Sequence, residues 1–81
     1  LSPIIIIEFS KFIFDNKVNI DYMNNFLNNF NYQIYDTKKK EINMEEIIFR
    51  ISKLTKRHKT IGNYYLLKKN SNQLEMFKKN D

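Results

Sequence analysis

Residues 43–69 read NMEEIIFRISKLTKRHKTIGNYYLLKK, and the change of character along this run decides the expected fold. Met44, Ile47, Ile48, Ile51 and Leu54 recur at i, i+3, i+4, i+7 and i+10, which is one face of an α-helix. Asn43 and Glu46 have the spacing of a capping box, with Asn in place of the usual Ser or Thr. Glu45 and Glu46 fall in the first turn, while Lys53, Lys56, Arg57 and His58 gather toward the end. That order suits the helix macrodipole at both termini. The spacing therefore predicts a helix over residues 43–58. A basic exit, a Gly62–Asn63 turn and a tyrosine-rich strand from Tyr64 to Lys69 follow it. Gly62 is the only glycine in the chain, as suits a position that needs a positive φ.

Working outward, Ser2 and Pro3 have the pattern of an N-cap followed by proline at the first helical position. Between Ile4 and Phe14 the polar residues Glu8 and Lys11, with Asp15 beyond, form a line at i, i+3 and i+7. A largely buried helix is expected there. The rival reading is a strand, which four consecutive isoleucines favour. Asn16 to Ile20 reads as a polar turn with room for one short strand at Lys17–Ile20. Asp21 then caps a second helix, whose Met23, Phe26, Leu27 and Phe30 repeat at i, i+3, i+4 and i+7. Tyr32 to Ile42 reads equally as a short strand entering a lysine-tipped turn or as a long polar loop. Asn72 and Glu75 suit the cap of a short terminal helix within residues 70–81, the alternative being a frayed tail.

These elements imply one small domain over residues 1–81, of α+β class and mainly α, with three main helices and a small β-hairpin or wing. The chain starts at Leu1 rather than Met, as a domain excised from a longer protein would. It has no cysteine, which excludes disulfides and thiolate metal sites. The apolar run at the front is broken by Glu8, Ser10 and Lys11. It is also shorter than the roughly 20 apolar residues that a membrane-spanning helix needs. The expectation is an intracellular protein, nuclear or cytoplasmic, with no membrane partner.

Enzymatic constellations are nearly absent, so no enzyme, cofactor or metal is expected. His58 is the sole histidine, and no glycine-rich phosphate loop, GxSxG or HExxH element occurs. Glu45 and Glu46 are adjacent, so a helix points them about 100° apart. YDTKKKEINMEE has the rhythm of a calcium loop. Aligned on Glu46, however, its first, third and fifth positions are Tyr35, Thr37 and Lys39, which lack the carboxylates a hard cation needs.

Charge carries the functional expectation. Ile, Lys, Asn, Phe and Tyr number 12, 12, 12, 7 and 5, and an AT-rich genome would inflate all five, so the overall +5 is a weak indicator. Its distribution is a better one. Residues 1–37 hold two bases and four acids, net −2, whereas residues 38–81 hold twelve bases and five acids, net +7. Clustered positive charge attracts polyanions. Arg50, Lys53, Lys56 and Arg57 project from the central helix away from its apolar stripe, with Lys59 beyond and Lys68 and Lys69 on the strand. These seven are the candidate nucleic-acid-binding residues. Lys38, Lys39 and Lys40 on the preceding turn, and Lys78 and Lys79 near the end, add to the basic half.

Helix, short strand, helix, loop, helix and β-wing is an order that resembles the winged helix-turn-helix family over roughly residues 2–69. The resemblance implies that the third helix enters the major groove, with Arg50, Lys53 and Arg57 facing DNA and Gly62–Asn63 as a truncated wing tip. The link from Asn31 to Ile42 departs from that pattern, being far longer than the three- or four-residue turn. The recognition face offers few side chains that read bases, so phosphate contacts should dominate. The alternative function is a protein–protein interaction domain that uses apolar helical surfaces, including self-association through Ile4–Phe14.

Overall fold

The isoleucines at the front of the chain pair in a sheet instead of coiling. The structure, a computed structural model, describes residues 4–10, 17–54 and 60–79. Ile5–Ser10 form strand β1, not the expected helix. β-Branched side chains fit a pleated sheet better than a helix, and the burial pattern has period two. Ile5, Ile7 and Phe9 turn into the core while Ile4, Ile6 and Glu8 turn out. The Ser2–Pro3 cap and residues 11–16 lie outside the described residues.

Helix α1 (Lys17–Phe30) begins before Asp21, so Lys17–Ile20 is its first turn and not a strand, and Asp21 lies inside the helix and is not its cap. It ends at Asn31, whose φ of 61° is the left-handed conformation that stops many helices. Strands β2 (Tyr32–Tyr35) and β3 (Glu41–Ile42) follow, so the strand-and-turn reading of this region is the correct one. Helix α2 (Met44–Ser52) is capped as expected, with Asn43 Oδ1 accepting the Glu46 amide at 2.9 Å. It ends at Ser52, well short of residue 58. The Lys53 and Leu54 amides fold back to the carbonyls of Arg50 and Ile51, at 3.3 and 3.0 Å, which tightens the last turn.

Strand β4 (Thr60–Lys68) runs straight through the expected Gly62–Asn63 turn. The sheet order is β1-β4-β2-β3 with every neighbouring pair antiparallel. This four-stranded sheet corrects the expectation of a mainly α domain with a small hairpin or wing. Gly62 has a φ of 91°, so the sole glycine does meet a positive-φ requirement, but within a strand. Glu8 pairs with Asn63 and Ser10 with Thr60, so Ile61 and Gly62 together oppose the single residue Phe9. That is a β-bulge. Space beside Gly62 is open, with nothing within 4 Å of an added Cβ. Gly62→Ala should therefore cost about 1 kcal/mol through backbone strain alone, a loss measurable by urea denaturation.

Terminal helix α3 (Asn72–Lys79) is formed, and its cap is Ser71, one residue before the expected Asn72. Ser71 Oγ accepts the Leu74 amide at 3.1 Å and donates to the Lys68 carbonyl at 2.7 Å. The helices lie on both faces of the sheet. On one face Met23, Phe26 and Leu27 of α1 and Met44, Ile47 and Ile51 of α2 pack on Phe9, Ile34, Ile42, Tyr64 and Leu66. On the other, Leu74 and Phe77 of α3 cover Tyr35, Tyr65 and Leu67. Burial and the nearby Glu41 carboxylate hold the Tyr35 phenol above its ordinary pKa.

Candidate nucleic-acid interface

Asp36 organises the turn between β2 and β3. Its Oδ1 accepts the backbone amides of Lys38 and Lys40, both at 2.9 Å, and its own amide donates to the Lys40 carbonyl at 3.0 Å. Short acidic side chains favour such turns because they bond to backbone a few residues on. Lys39 takes the left-handed conformation, with φ 65°. The three lysines therefore part company. The Lys39 ammonium lies 5.6 Å from the Phe77 ring centre on the α3 side, while Lys38 and Lys40 are exposed and line a cleft on the α2 side.

That cleft is open and about 610 Å³ in volume. Its walls are the Asp36–Lys40 turn, Arg50 from α2, and Ile61 to Tyr64 from β4, where the bulge lies. Arg50 is turned inward. Its Nη1 donates to the Tyr64 hydroxyl at 2.9 Å and lies 3.8 Å from Asp36 Oδ2. Its Nε donates to Glu46 Oε1 at 3.3 Å, one helical turn back. The guanidinium pKa is raised, chiefly by the Tyr64 hydrogen bond, with Glu46 adding and burial opposing. Arg50 thus clamps α2, β4 and the lysine turn together.

Of the seven candidate residues, four lie among the described residues, and these four do not share one face. Arg50 is committed to the clamp. Lys53 is exposed on the outer side of α2, its ammonium 4.3 Å from the centre of the half-exposed Phe49 ring, a cation–π contact. Lys68 pairs with Tyr32 at the far end of β4, and the Lys69 amide donates to the Asn31 carbonyl at 2.9 Å. Five residue steps along the strand, roughly 17 Å at the usual rise, separate Lys68 from Asn63 at the cleft. Lys69 lines a different and smaller cleft, beside Asn24, Asn28 and Gln33. Lys56, Arg57 and Lys59, with His58, lie outside the described residues.

Lys38 and Lys40, absent from the seven, are the lysines on the cleft. The sequence did carry a signal for them, an Asp two and four residues ahead at the start of a lysine-tipped turn. Among the described residues no group of three or more His, Cys, Asp or Glu is placed to hold a metal ion. Likewise, no helix among them is long and apolar enough to cross a membrane. No protein-family model, curated protein or solved structure matches this chain.

Proposed function

We propose that this domain is a non-enzymatic nucleic-acid-binding module, of the nucleus or cytoplasm, that grips phosphates along the cleft between the Asp36–Lys40 turn and β4. The observation that carries the reading is the pairing of two exposed lysines with an acid that is already satisfied. Asp36 is held by two amides and Arg50, so Lys38 and Lys40 present positive charge to solvent with no carboxylate bridged to either among the described residues. The basic run Lys56, Arg57, His58, Lys59 leads directly into the β4 wall, and the proposal keeps Lys56, Arg57 and Lys59 as further phosphate contacts. Lys53, exposed at the C-cap of α2 and outside the cleft lining, is kept as a further phosphate contact. Lysine ammoniums act on phosphate as point charges and carry little sequence choice. The winged-helix resemblance does not guide this placement, because β4 occupies the segment assigned to the wing tip.

Fluorescence anisotropy with duplex DNA, duplex RNA and single strands over a salt series tests the reading. Lys38→Glu/Lys40→Glu should weaken binding at least about tenfold and flatten the log–log salt slope by about 2. Lys68→Glu/Lys69→Glu changes net charge equally but lies at the far end of β4, and should weaken binding much less. Equal losses in the two variants, or no salt-dependent binding by the unmodified protein, would remove the cleft from consideration.

A second reading, protein interaction, is favoured by one observation: Ile4 and Ile6 stand exposed at the front of the chain.

A further inference from the structure

The two edges of the sheet differ in kind. At one, β3 is only two residues long, too short to template another strand. At the other, β1 runs for six residues as IIIEFS, and among the described residues only β4 pairs with it. Sheet edges are ordinarily blunted by proline, lysine, a bulge or a covering element. β1 has neither proline nor lysine, and the β4 bulge opposes it only at Phe9, leaving Ile5 to Glu8 regularly paired. Ile6 is 63% exposed and Ile4 43% exposed on the face opposite α2.

We propose that β1 pairs antiparallel with β1 of a second copy of this chain, about a two-fold axis through Ile6, to make a continuous eight-stranded sheet. This proposal deepens the second reading above by naming the partner, and it stands whether or not the cleft binds nucleic acid. Charge selects the occupant. The only ionisable side chain from Ile4 to Ser10 is Glu8, whereas the chain as a whole carries +5. A copy approaching along β1 therefore meets a segment that carries none of the chain's positive charge. The register also complements itself. Pairing about Ile6 sets Ile6 against Ile6, Ile5 against Ile7 and Ile4 against Glu8. No like charges then face each other, and β-branched side chains meet across the strands on both faces. Because the side-chain period is two, this register leaves Ile5 and Ile7 on the core side in both copies. Isologous contacts of this kind close on themselves and do not propagate.

The chain has no cysteine, so single engineered cysteines report the register directly. Directly opposite residues of an antiparallel pair sit about 4.5–5.5 Å apart at Cα, within disulfide reach. Under mild oxidation at high micromolar concentration, Ile6→Cys should convert mostly to a covalent dimer, while Ile4→Cys, facing Glu8, should remain largely monomeric. Sedimentation should give a dimer for the unmodified protein and a monomer for Ile6→Lys, whose circular dichroism should be unchanged because the side chain is exposed. A monomeric unmodified protein, a dimer that survives Ile6→Lys, or equal cross-linking at positions 4 and 6 would overturn the proposal.

Discussion

Arg50→Ala should destabilise the domain by about 2 kcal/mol, because it removes a charged hydrogen bond to the buried Tyr64 hydroxyl and the cation beside Asp36. In a chain of this size that lowers the melting temperature by roughly 8–16 °C. An arginine reserved for DNA on an open helix face would behave differently. Its loss would stay within about 0.5 kcal/mol, as surface substitutions usually do. Tyr64→Phe should cost about 1 kcal/mol, since it deletes the hydroxyl and preserves the ring packed edge-on to Phe9. The double variant should cost less than the sum, because both substitutions remove the same bond. Urea denaturation of the four proteins completes the cycle. Additive losses would mean that Arg50 and Tyr64 do not meet in solution.

Leu67→Ala is the second large effect expected, about 3 kcal/mol. Leu67 has no exposed surface, lying under α3 on the central strand β4 beside Tyr35 and Leu74. Stabilities near 0.05–0.15 kcal/mol per residue leave a domain of this length roughly 4–12 kcal/mol to lose. The prediction turns on the second layer. If the segment after β4 were a frayed tail, Leu67 would already be wet and its truncation would cost little. Met76→Ala serves as the control, since Met76 lies on α3 but is 63% exposed. It should change the urea midpoint hardly at all.

What the sequence made legible depended on how many periods each stretch could satisfy. Asn43 to Ile51 fits only the helical period, and its cap, acidic first turn and buried stripe appear as expected. The front of the chain fits two periods. Eight apolar residues out of eleven between Ile4 and Phe14 satisfy a helix or a strand alike. What decides the matter is β4, a pairing partner more than fifty residues away that no local pattern reveals. The lone glycine misled for a related reason. Gly62 next to Asn63 has the composition of a hairpin turn, yet the same positive φ serves a bulge inside a long strand. At the candidate site, helical spacing placed Arg50, Lys53 and Arg57 on one face. Spacing alone does not show that Tyr64, fourteen residues later, brings a hydroxyl to Arg50 and draws it inward.

The place of β4 in the sheet also orders the way the chain can assemble. Both β1 and β2 pair with it, yet it is the last strand in sequence, and Ile5 must find Leu66 across sixty intervening residues. Only the β2–β3 hairpin and single helical turns close over short distances, so most of the ladder waits on slow loop closure. A ribosome-bound chain therefore displays its isoleucine strand long before the partner strand has been made. Newly synthesised molecules are most vulnerable to aggregation in that interval, and a chaperone that shields extended apolar segments would act on residues 4–7 first.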